Sequence, residues 1–528
     1  MNIRSFGHII KKIVYIVFFM LVNFLGKDVG SGVFSFGLLF SICVYALLFG
    51  DLKDVVAKMV QVRIGRGFYN NAKKILRMSL MYCFIICVIL IAIFVFLGSY
   101  ICNITLNISS LSGTMWPFGI LVFLWAVTGC LKGYLHGFEK HIWCSVADGI
   151  FCISLMGCST FVLKYMYSYG TNISALLRNG FYTGLQSAVG AIYALCIAQF
   201  CAVVVLLIGM LKCNLGNGGK NIDSFSGFIT NYYKIHLSNI EKSMFPCLSI
   251  FVFALIFVRL STKTSLDCNV LFGEYGVLFG KVGTVLIFSF AFWHEYIQQN
   301  EKKLRIDLKR EEHGNIRNRS NNIILNSFYV FLPLSATLIA LAKPIVMIFF
   351  GGAMAQGVTI LRMCGILALM AAVTTGCKAI LRSIGLKTYS LIISGTGFFA
   401  GLLLLIPSLK SSANIKTLVY AILIYYIIQF FVGLALVHRM VGLRIFELGE
   451  KLIKILISTV FLLMIQLILD KFLVMNIVFL LITLLLSYAV FFISISVLRV
   501  YGKREVNSLK GTMIYYPTNI INGYFLRR

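Results

Sequence analysis

The sequence predicts an all-α protein that crosses a membrane many times. Hydrophobic residues make up 59% of its 528 residues and charged residues only 12%, whereas soluble domains usually carry about 25% charged residues. The mean hydropathy is +0.92, and the apolar residues are gathered in runs long enough to cross a bilayer. This composition argues against a soluble globule, a disordered chain, a disulfide scaffold and a nucleic-acid-binding protein.

The number of membrane spans follows from the apolar runs. A bilayer core of about 30 Å requires roughly 20 mostly apolar helical residues, and we find fourteen such runs. Lys11 and Lys12 interrupt the first run, and Glu274 and Lys281 lie in the eighth. The expected spans are 6–26, 33–50, 79–100, 115–135, 146–166, 186–211, 243–260, 271–293, 323–350, 357–383, 390–407, 416–437, 452–470 and 475–498.

The distribution of positive charge predicts the orientation of these spans. The chain carries 47 Lys and Arg residues against 18 Asp and Glu residues, a net charge of +29. With the N-terminus inside, 36 of the basic residues fall in inner segments, nine in outer loops and two, Lys281 and Arg362, within helices. Because cytoplasmic loops collect Lys and Arg, we expect a multi-pass protein of the cytoplasmic membrane with both termini cytoplasmic.

The two halves of the chain resemble each other. A basic, Asn-rich stretch follows both the second and the eighth span and leads into a long apolar helix. Ser79 aligns with Ser327 in these stretches, and Lys132 aligns with Lys378 at the ends of the fourth and tenth spans. Six spans per half make the repeat parallel, although two basic cytoplasmic loops also resemble each other by chance.

The repeat divides the chain into five predicted regions. Two six-helix lobes are followed by two extra helices outside the repeat and a basic cytoplasmic tail. The N-lobe is 1–212, the inter-lobe linker 213–242, the C-lobe 243–440, the extra helices 441–498 and the tail 499–528.

Four stretches carry a resemblance to a known family. The exit of the first span reads LGKDVGSGVFSF, and the end of the second reads GDLKDVVAKMVQVRIGRG. The fourth and tenth spans end in LKGYLHGFEKH and AILRSIGLKT. Together, in this order, they resemble the multidrug/oligosaccharidyl-lipid/polysaccharide exporter superfamily, and most closely its branch of SpoVB-like and lipid II flippase proteins. The sequence departs from that pattern after the second span, where Leu52, Lys53 and Asp54 replace the usual proline.

The resemblance implies both a fold and a function. It implies two six-helix lobes like those of multidrug exporters, with two additional helices, which rock around a central cavity. It also implies export of a lipid-linked saccharide by alternating access. In the lipid II branch the two extra helices form a groove for the polyprenyl tail; the alternative is that they only pack at the periphery.

A cavity for such a cargo needs positive side chains, because the head of the cargo is a pyrophosphate. An unpaired charge in a low-dielectric slab costs several kcal/mol, and Arg and Lys are the usual partners of a diphosphate. For Arg259, Lys27 and Lys281 the alternative is snorkelling of the long side chain to the interface, and Arg362 could equally pair with the outer end of a neighbouring helix. The candidates are Arg259 and Lys281 first, then Lys27 with Asp28, and finally Arg362, Lys11 and Lys12.

The absence of enzyme motifs and the positions of the acidic residues argue against several other functions. No nucleotide, metalloprotease or hydrolase motif is found, so we expect no enzymatic activity, no cofactor and no metal. We place no acidic residue near the middle of an apolar run, which disfavours a cation-coupled multidrug exporter of the same fold. A membrane-embedded glycosyltransferase or polymerase is disfavoured because the longest outer segment, about 167–185, is short.

The expected partners follow from this interpretation. They are a lipid-linked saccharide as cargo and anionic membrane lipids at the basic inner loops. We expect a monomeric transporter with no nucleic-acid partner. The saccharide and the driving force are left open.

Overall fold

The computed structural model is helical throughout the part of the chain that it describes, with no strand there. It describes residues 3–212, 218, 223–263, 267–290, 292–351, 355–411, 414–471, 476–500 and 515. The α-helices are α1 Ile3–Phe49, α2 Leu52–Ile64, α3 Tyr69–Leu106, α4 Ser112–Gly137, α5 His141–Leu177, α6 Phe181–Lys212, α7 Phe225–Ser238, α8 Ile240–Ser243, α9 Phe245–Lys263, α10 Cys268–Tyr275, α11 Gly283–Phe290, α12 Trp293–Lys309, α13 His313–Ala340, α14 Ala342–Phe350, α15 Ala355–Ser383, α16 Lys387–Ser411, α17 Ile415–Val441, α18 Ile445–Asp470 and α19 Ile477–Val497.

The predicted fold class, an all-α multi-pass membrane protein, is confirmed. The described residues contain thirteen helical stretches long and apolar enough to cross a membrane. The first stretch, Ile10–Ile64, is 55 residues long and covers most of the first predicted span and all of the second. At 1.5 Å per residue it is more than twice the thickness of a bilayer core, so the thirteen stretches accommodate the fourteen predicted spans.

A break at Lys27 separates the first two spans within α1. Lys27 has φ 55° and ψ −168°, outside the helical region, so α1 is two helices joined there. A positive φ is unusual for a residue with a side chain and is maintained only where the surrounding packing imposes it. The predicted loop 27–32 is therefore a single-residue break within helical chain.

Three segments that were predicted to be inner loops or linker contain helices. α2 and α12 occupy corresponding places, directly after the second span of each predicted half, and α7 lies in the predicted linker. The predicted outer segment 167–185 is also mostly helical, because α5 extends to Leu177 and α6 begins at Phe181. A long apolar run identifies a membrane span, and an amphipathic or polar helix has no such run, so these helices were not predicted.

The chain forms two compact units. The first comprises residues 1–280 and 409–414, and the second comprises 281–408 and 415–528. The predicted lobe ranges 1–212 and 243–440 stay predictions, as does the linker 213–242, of which 213–217 and 219–222 lie outside the described residues. The predicted tail 499–528 also lies outside them, except for residues 499, 500 and 515.

In the first unit, α1 packs against α10 through glycines. A Cβ atom built on Gly32 would overlap the Phe272 carbonyl oxygen, and one built on Gly276 would overlap the Asp28 carbonyl oxygen. Small residues allow such close backbone contact between membrane helices. The Asn23 amide also donates to the Gly280 carbonyl oxygen at 3.1 Å, so the segment around the Lys27 break is tied to α10 and the turn that follows it.

The helix α7 is attached near the end of α1, the end of α2 and the start of α3. Both carboxylate oxygens of Asp223 accept from the Arg63 guanidinium, at 2.7 and 2.8 Å, and the Asn71 amide donates to Asp223 at 2.7 Å. The Ser224 hydroxyl caps α7 by accepting from the Gly227 amide, and the Tyr232 hydroxyl donates to the Leu48 carbonyl oxygen at 2.7 Å. These contacts make α7 part of the first unit.

His236 completes this attachment with an ion pair. Its Nε2 lies 2.9 Å from the Leu47 carbonyl oxygen, to which it can only donate, and its Nδ1 lies 3.3 Å from the Asp51 carboxylate. Two acceptors facing both ring nitrogens favour the doubly protonated imidazolium. The hydrogen bond with Asp51 accordingly raises the pKa of His236 above its usual value. His236 is only 2% exposed, so this pair is buried within the protein.

The attachment of α7 should therefore weaken as pH rises. A raised pKa means that the pair stabilises the protein while His236 is protonated and that this contribution is lost as pH passes upward through the pKa of the folded state. We expect amide exchange in α7 to accelerate, beyond the intrinsic chemical increase, as pH rises above the usual imidazole pKa of about 6.5. His236→Gln should show only the intrinsic pH dependence in the same hydrogen-exchange measurement. An identical protection profile in both proteins would contradict the pairing.

In the second unit, α12 is held by buried carboxylates. Glu301, Leu304 and Asp307 recur at three-residue spacing and form its buried face. The Arg382 guanidinium donates to Glu301 at 2.8 Å, and the Arg319 guanidinium donates to Asp307 at 2.7 Å. These pairs join α12 to the end of α15 and the start of α13.

The two extra helices pack against α13 around a buried glutamine. Gln466 of α18 is fully buried, and its amide donates to the Thr337 hydroxyl at 2.9 Å and to the Ser487 hydroxyl at 3.2 Å. Such interhelical hydrogen bonds are favourable where hydrocarbon offers no other partner. α18 and α19 are thus specifically bound to α13, whether or not they also contact a lipid tail.

Candidate anion-binding cavity in the first unit

A polar cavity of about 350 Å³ lies inside the first unit. Five helices contribute to it: α1, α2, α4, α5 and α6. Three lysines, two histidines and one aspartate provide its ionisable groups, beside aromatic and small polar residues. The lining is Lys11, Tyr15, Tyr45, Lys53, Trp125, Thr128, Gly129, Lys132, His136, His141, Cys144, Ser145, Asp148 and Gln199.

Helical spacing directs these side chains into the cavity. On α4, Thr128, Lys132 and His136 are four residues apart, and on α5, His141 and Asp148 are two turns apart. Residues at such spacings lie on one face of a helix. Each of the two apolar helices therefore presents a polar stripe to the cavity, and the Gln199 amide of α6 donates to Thr128 at 2.6 Å.

Lys11, Lys132 and Asp148 form the electrostatic centre of the cavity. Both lysine ammonium groups donate to the same oxygen, Asp148 Oδ1, each at 2.7 Å. The Lys132 and Asp148 side chains are 12% and 18% exposed. These are short, charge-assisted hydrogen bonds, and they join α1, α4 and α5. The triad alone carries one more positive charge than negative, and Lys53 adds another.

Aromatic rings support this centre. Lys11 Nζ lies 4.8 Å from the centroid of the Phe151 ring, and Tyr15 packs against the same ring at 5.5 Å. A cation over an aromatic face gains additional electrostatic stabilisation. His136 and His141 meet edge to face at 4.7 Å. The arrangement can hold an anion with several oxygen acceptors, such as a phosphate or pyrophosphate.

The structure brings one of the seven predicted site residues into this cavity. Lys11 is part of the centre, whereas Lys12 lies half-buried on α1 and does not line the cavity. Lys27 is exposed at the break in α1, with its Nζ 5.8 Å from the Tyr167 ring centroid. Asp28 follows it and is half-buried.

The other three predicted cations lie on separate elements. Arg259 is exposed near the end of α9, and Arg362 is exposed in the second turn of α15. Lys281 is 5% exposed and lies in a π-helical segment, Gly276–Val282, that links α10 to α11. π-Helical segments are rare in proteins, and those that do occur are often found at functional sites. The binding roles of all seven residues stay predictions.

Sequence reasoning missed three charged residues of the cavity: Lys53, Lys132 and Asp148. In the sequence, Lys132 is distinguished only as a repeat position, and Asp148 lies near the start of the predicted span 146–166. The available signal was the polar stripe within each apolar helix, which indicates a face turned away from lipid. The described residues contain no group of three or more His, Cys, Asp and Glu side chains able to hold a metal ion.

Solved structures with the same fold are membrane transporters. The chain matches a lipid II flippase, MurJ, in an inward closed conformation, with a TM-score of 0.64 and 13% identity over 94% of this chain and 98% of the other. It matches an inward-facing multidrug resistance MATE family transporter of the MOP superfamily with a TM-score of 0.62 and 13% identity, over 82% and 94%. A third match is the MATE multidrug transporter DinF-BH, with a TM-score of 0.58 and 14% identity, over 83% and 94%.

These matches define the fold of the chain as that of MOP-superfamily transporters. The resemblance seen in the sequence is thereby confirmed at the level of the fold. No protein-family model matches the sequence, and no curated protein matches it.

Proposed function

We propose that this protein is a transporter that moves a polyprenyl-pyrophosphate-linked saccharide from the inner to the outer leaflet by alternating access. The observation that carries the proposal is the charge of the cavity in the first unit, where three lysines face one aspartate. A cavity within a membrane helix bundle that is positive overall suits an anionic head group. The fold it shares with a lipid II flippase supports the same cargo class.

The other proposed partners follow from the same attraction between basic side chains and anionic groups. Arg259, Lys281, Lys27 and Arg362 are further candidates for contact with the cargo phosphates, with Asp28 as a partner of these cations. The exposed basic face of α12, with Lys302, Lys303, Arg305 and Lys309, suits anionic lipids at the inner surface of the cytoplasmic membrane. The transporter acts as a monomer, without a chemical step or a cofactor.

A cation-coupled multidrug exporter is the second candidate, because a carboxylate does lie inside the first unit. Asp148 lines the cavity, and such exporters use buried carboxylates to bind protons or metal cations. However, both Lys11 and Lys132 already donate to Asp148. Two ammonium groups on one carboxylate oxygen repel an incoming sodium ion and compete with it, so the geometry favours an anionic cargo.

Transport in reconstituted vesicles tests the proposal. We expect the wild-type protein to move a fluorescent undecaprenyl-pyrophosphate disaccharide between leaflets, read out by chemical quenching of the outer leaflet. Lys132→Gln should slow this movement by about tenfold, equivalent to about 1.4 kcal/mol, because it removes a cation from the cavity. Lys164→Gln, at an exposed lysine of α5, is the matched control and should stay within about twofold.

The same vesicles decide between the two candidates. Arg259→Ala and Lys281→Ala test the cations predicted from sequence and should also slow lipid movement. Vesicles that accumulate or release a cationic dye under a sodium or proton gradient, and move no lipid-linked saccharide, would establish the multidrug exporter instead.

A further inference from the structure

The Lys11–Asp148–Lys132 triad has two positive groups and only one negative group. One carboxylate oxygen, Asp148 Oδ1, accepts from two ammonium groups at 2.7 Å. A carboxylate carries one negative charge, so it neutralises only one of the two lysines. A phosphate group has more acceptor oxygens at a similar hydrogen-bonding distance, and it could contact both lysines without sharing one oxygen between them.

The surroundings of the triad provide space for such a group. The three residues come from α1, α4 and α5 and line one side of a cavity of about 350 Å³, within the range of volumes that hold small-molecule ligands. Lys53, His136 and His141 supply further donors on the same cavity. A ligand phosphate entering it reaches Lys11 and Lys132 only by competing with Asp148.

We propose that Asp148 is a resident counter-ion that occupies the cargo-binding lysines until the phosphate of the cargo displaces it. The inference rests on the proposed function and deepens it by naming Lys11 and Lys132 as a phosphate-binding pair. Two unpaired ammonium groups in an empty membrane cavity are costly, and Asp148 reduces that cost. It also lowers the affinity for cargo, because the cargo must break two charge-assisted hydrogen bonds that are already formed.

If Asp148 has this role, substitutions at Asp148 and at Lys132 change the affinity for a pyrophosphate in opposite directions. Asp148→Asn retains the shape of the side chain and removes its negative charge, so the lysines become available to an anion. We expect it to bind farnesyl pyrophosphate about three- to tenfold more tightly than the wild type, whereas Lys132→Gln should bind about tenfold more weakly. Lys164→Gln, at an exposed lysine of α5 outside the cavity, is the control and should bind with the affinity of the wild type.

Calorimetric titration of the purified full-length protein with farnesyl pyrophosphate, and separately with inorganic pyrophosphate, measures these affinities. Tighter binding of the prenylated probe supports a lipid-linked ligand, and tighter binding of inorganic pyrophosphate would overturn that assignment. Weaker binding by Asp148→Asn, together with weaker binding by Lys132→Gln, would show that Asp148 only supports the site and would overturn the displacement while leaving the proposed function intact. No effect of Lys132→Gln on either binding or transport would instead undermine the proposed function.

A second measurement applies if Asp148→Asn does not fold. The infrared difference spectrum of the wild-type protein with and without pyrophosphate should then show a changed carboxylate stretch that moves in frequency in Asp148→Glu. A difference spectrum without any carboxylate change would overturn the displacement.

Discussion

Replacing Gly276 with alanine is expected to abolish most of the correctly folded protein. The added Cβ would overlap the Asp28 carbonyl oxygen and lie 2.7 Å from the Ser31 hydroxyl, so α1 and α10 would have to separate. The backbone on both sides is held by helical hydrogen bonds, and the clash cannot be relieved by rotating a flexible side chain. Overpacking in a well-packed interior typically costs about 1–3 kcal/mol or more.

Fluorescence-detected size-exclusion chromatography and thermal unfolding of the detergent-solubilised protein measure this effect. Gly273→Ala is the matched control, because a Cβ atom on Gly273, three residues earlier in α10, would meet nothing within 4 Å. Alanine is the better helix former by about 1 kcal/mol, so the control should be neutral or stabilising. Equal behaviour of the two variants would mean that α1 and α10 do not approach each other as described.

Breaking the Glu301–Arg382 pair is expected to produce the other large loss of stability. The Glu301 and Arg382 side chains are only 6% and 15% exposed and lie 2.8 Å apart. Removing the charge of one member of a buried pair leaves the other buried charge less well compensated and costs about 3 kcal/mol. Glu301→Gln should therefore lower the midpoint of thermal unfolding sharply, and exchanging the two residues in Glu301→Arg with Arg382→Glu should restore part of the loss.

The exposed Arg444–Glu447 pair provides the comparison. Its side chains are 44% and 61% exposed at 3.2 Å, and an exposed pair of this kind contributes less than about 1 kcal/mol. Glu447→Gln should thus leave the unfolding midpoint nearly unchanged. If Glu301→Gln were equally mild, α12 would be held to α15 by apolar contacts alone.

The membrane spans were predictable because a bilayer imposes a simple rule on the sequence. Hydrocarbon solvates no backbone polar group, so each crossing needs an uninterrupted helix with a long apolar run. The helices α2, α7 and α12 were not predicted because water solvates one of their faces and only the opposite face needs to be apolar or paired. In α12 that buried face even contains Glu301 and Asp307, whose partners come from other helices.

The candidate site was predictable only in part. Lys11 was predicted as a site residue because a lysine within a membrane span costs free energy, and the structure places it in the cavity. Lys132 lies near the end of α4 and Asp148 near the start of α5, where charged residues are common, so their positions in the sequence gave no such signal. Their importance depends on α1, α4 and α5 meeting at one point, which residue spacing within a single helix does not specify.

The amino-acid sequence by itself determined that the chain is a helical, multi-pass membrane protein with about fourteen spans and a resemblance to one transporter superfamily. It did so because a bilayer requires long apolar runs separated by charged loops, and both are features of consecutive residues. Only the tertiary structure decided that two lysines from different helices share one aspartate oxygen and that α7 is attached through His236 and Asp223. Ion pairs between helices depend on distances of about 3 Å between residues far apart in sequence, and those distances are set by packing.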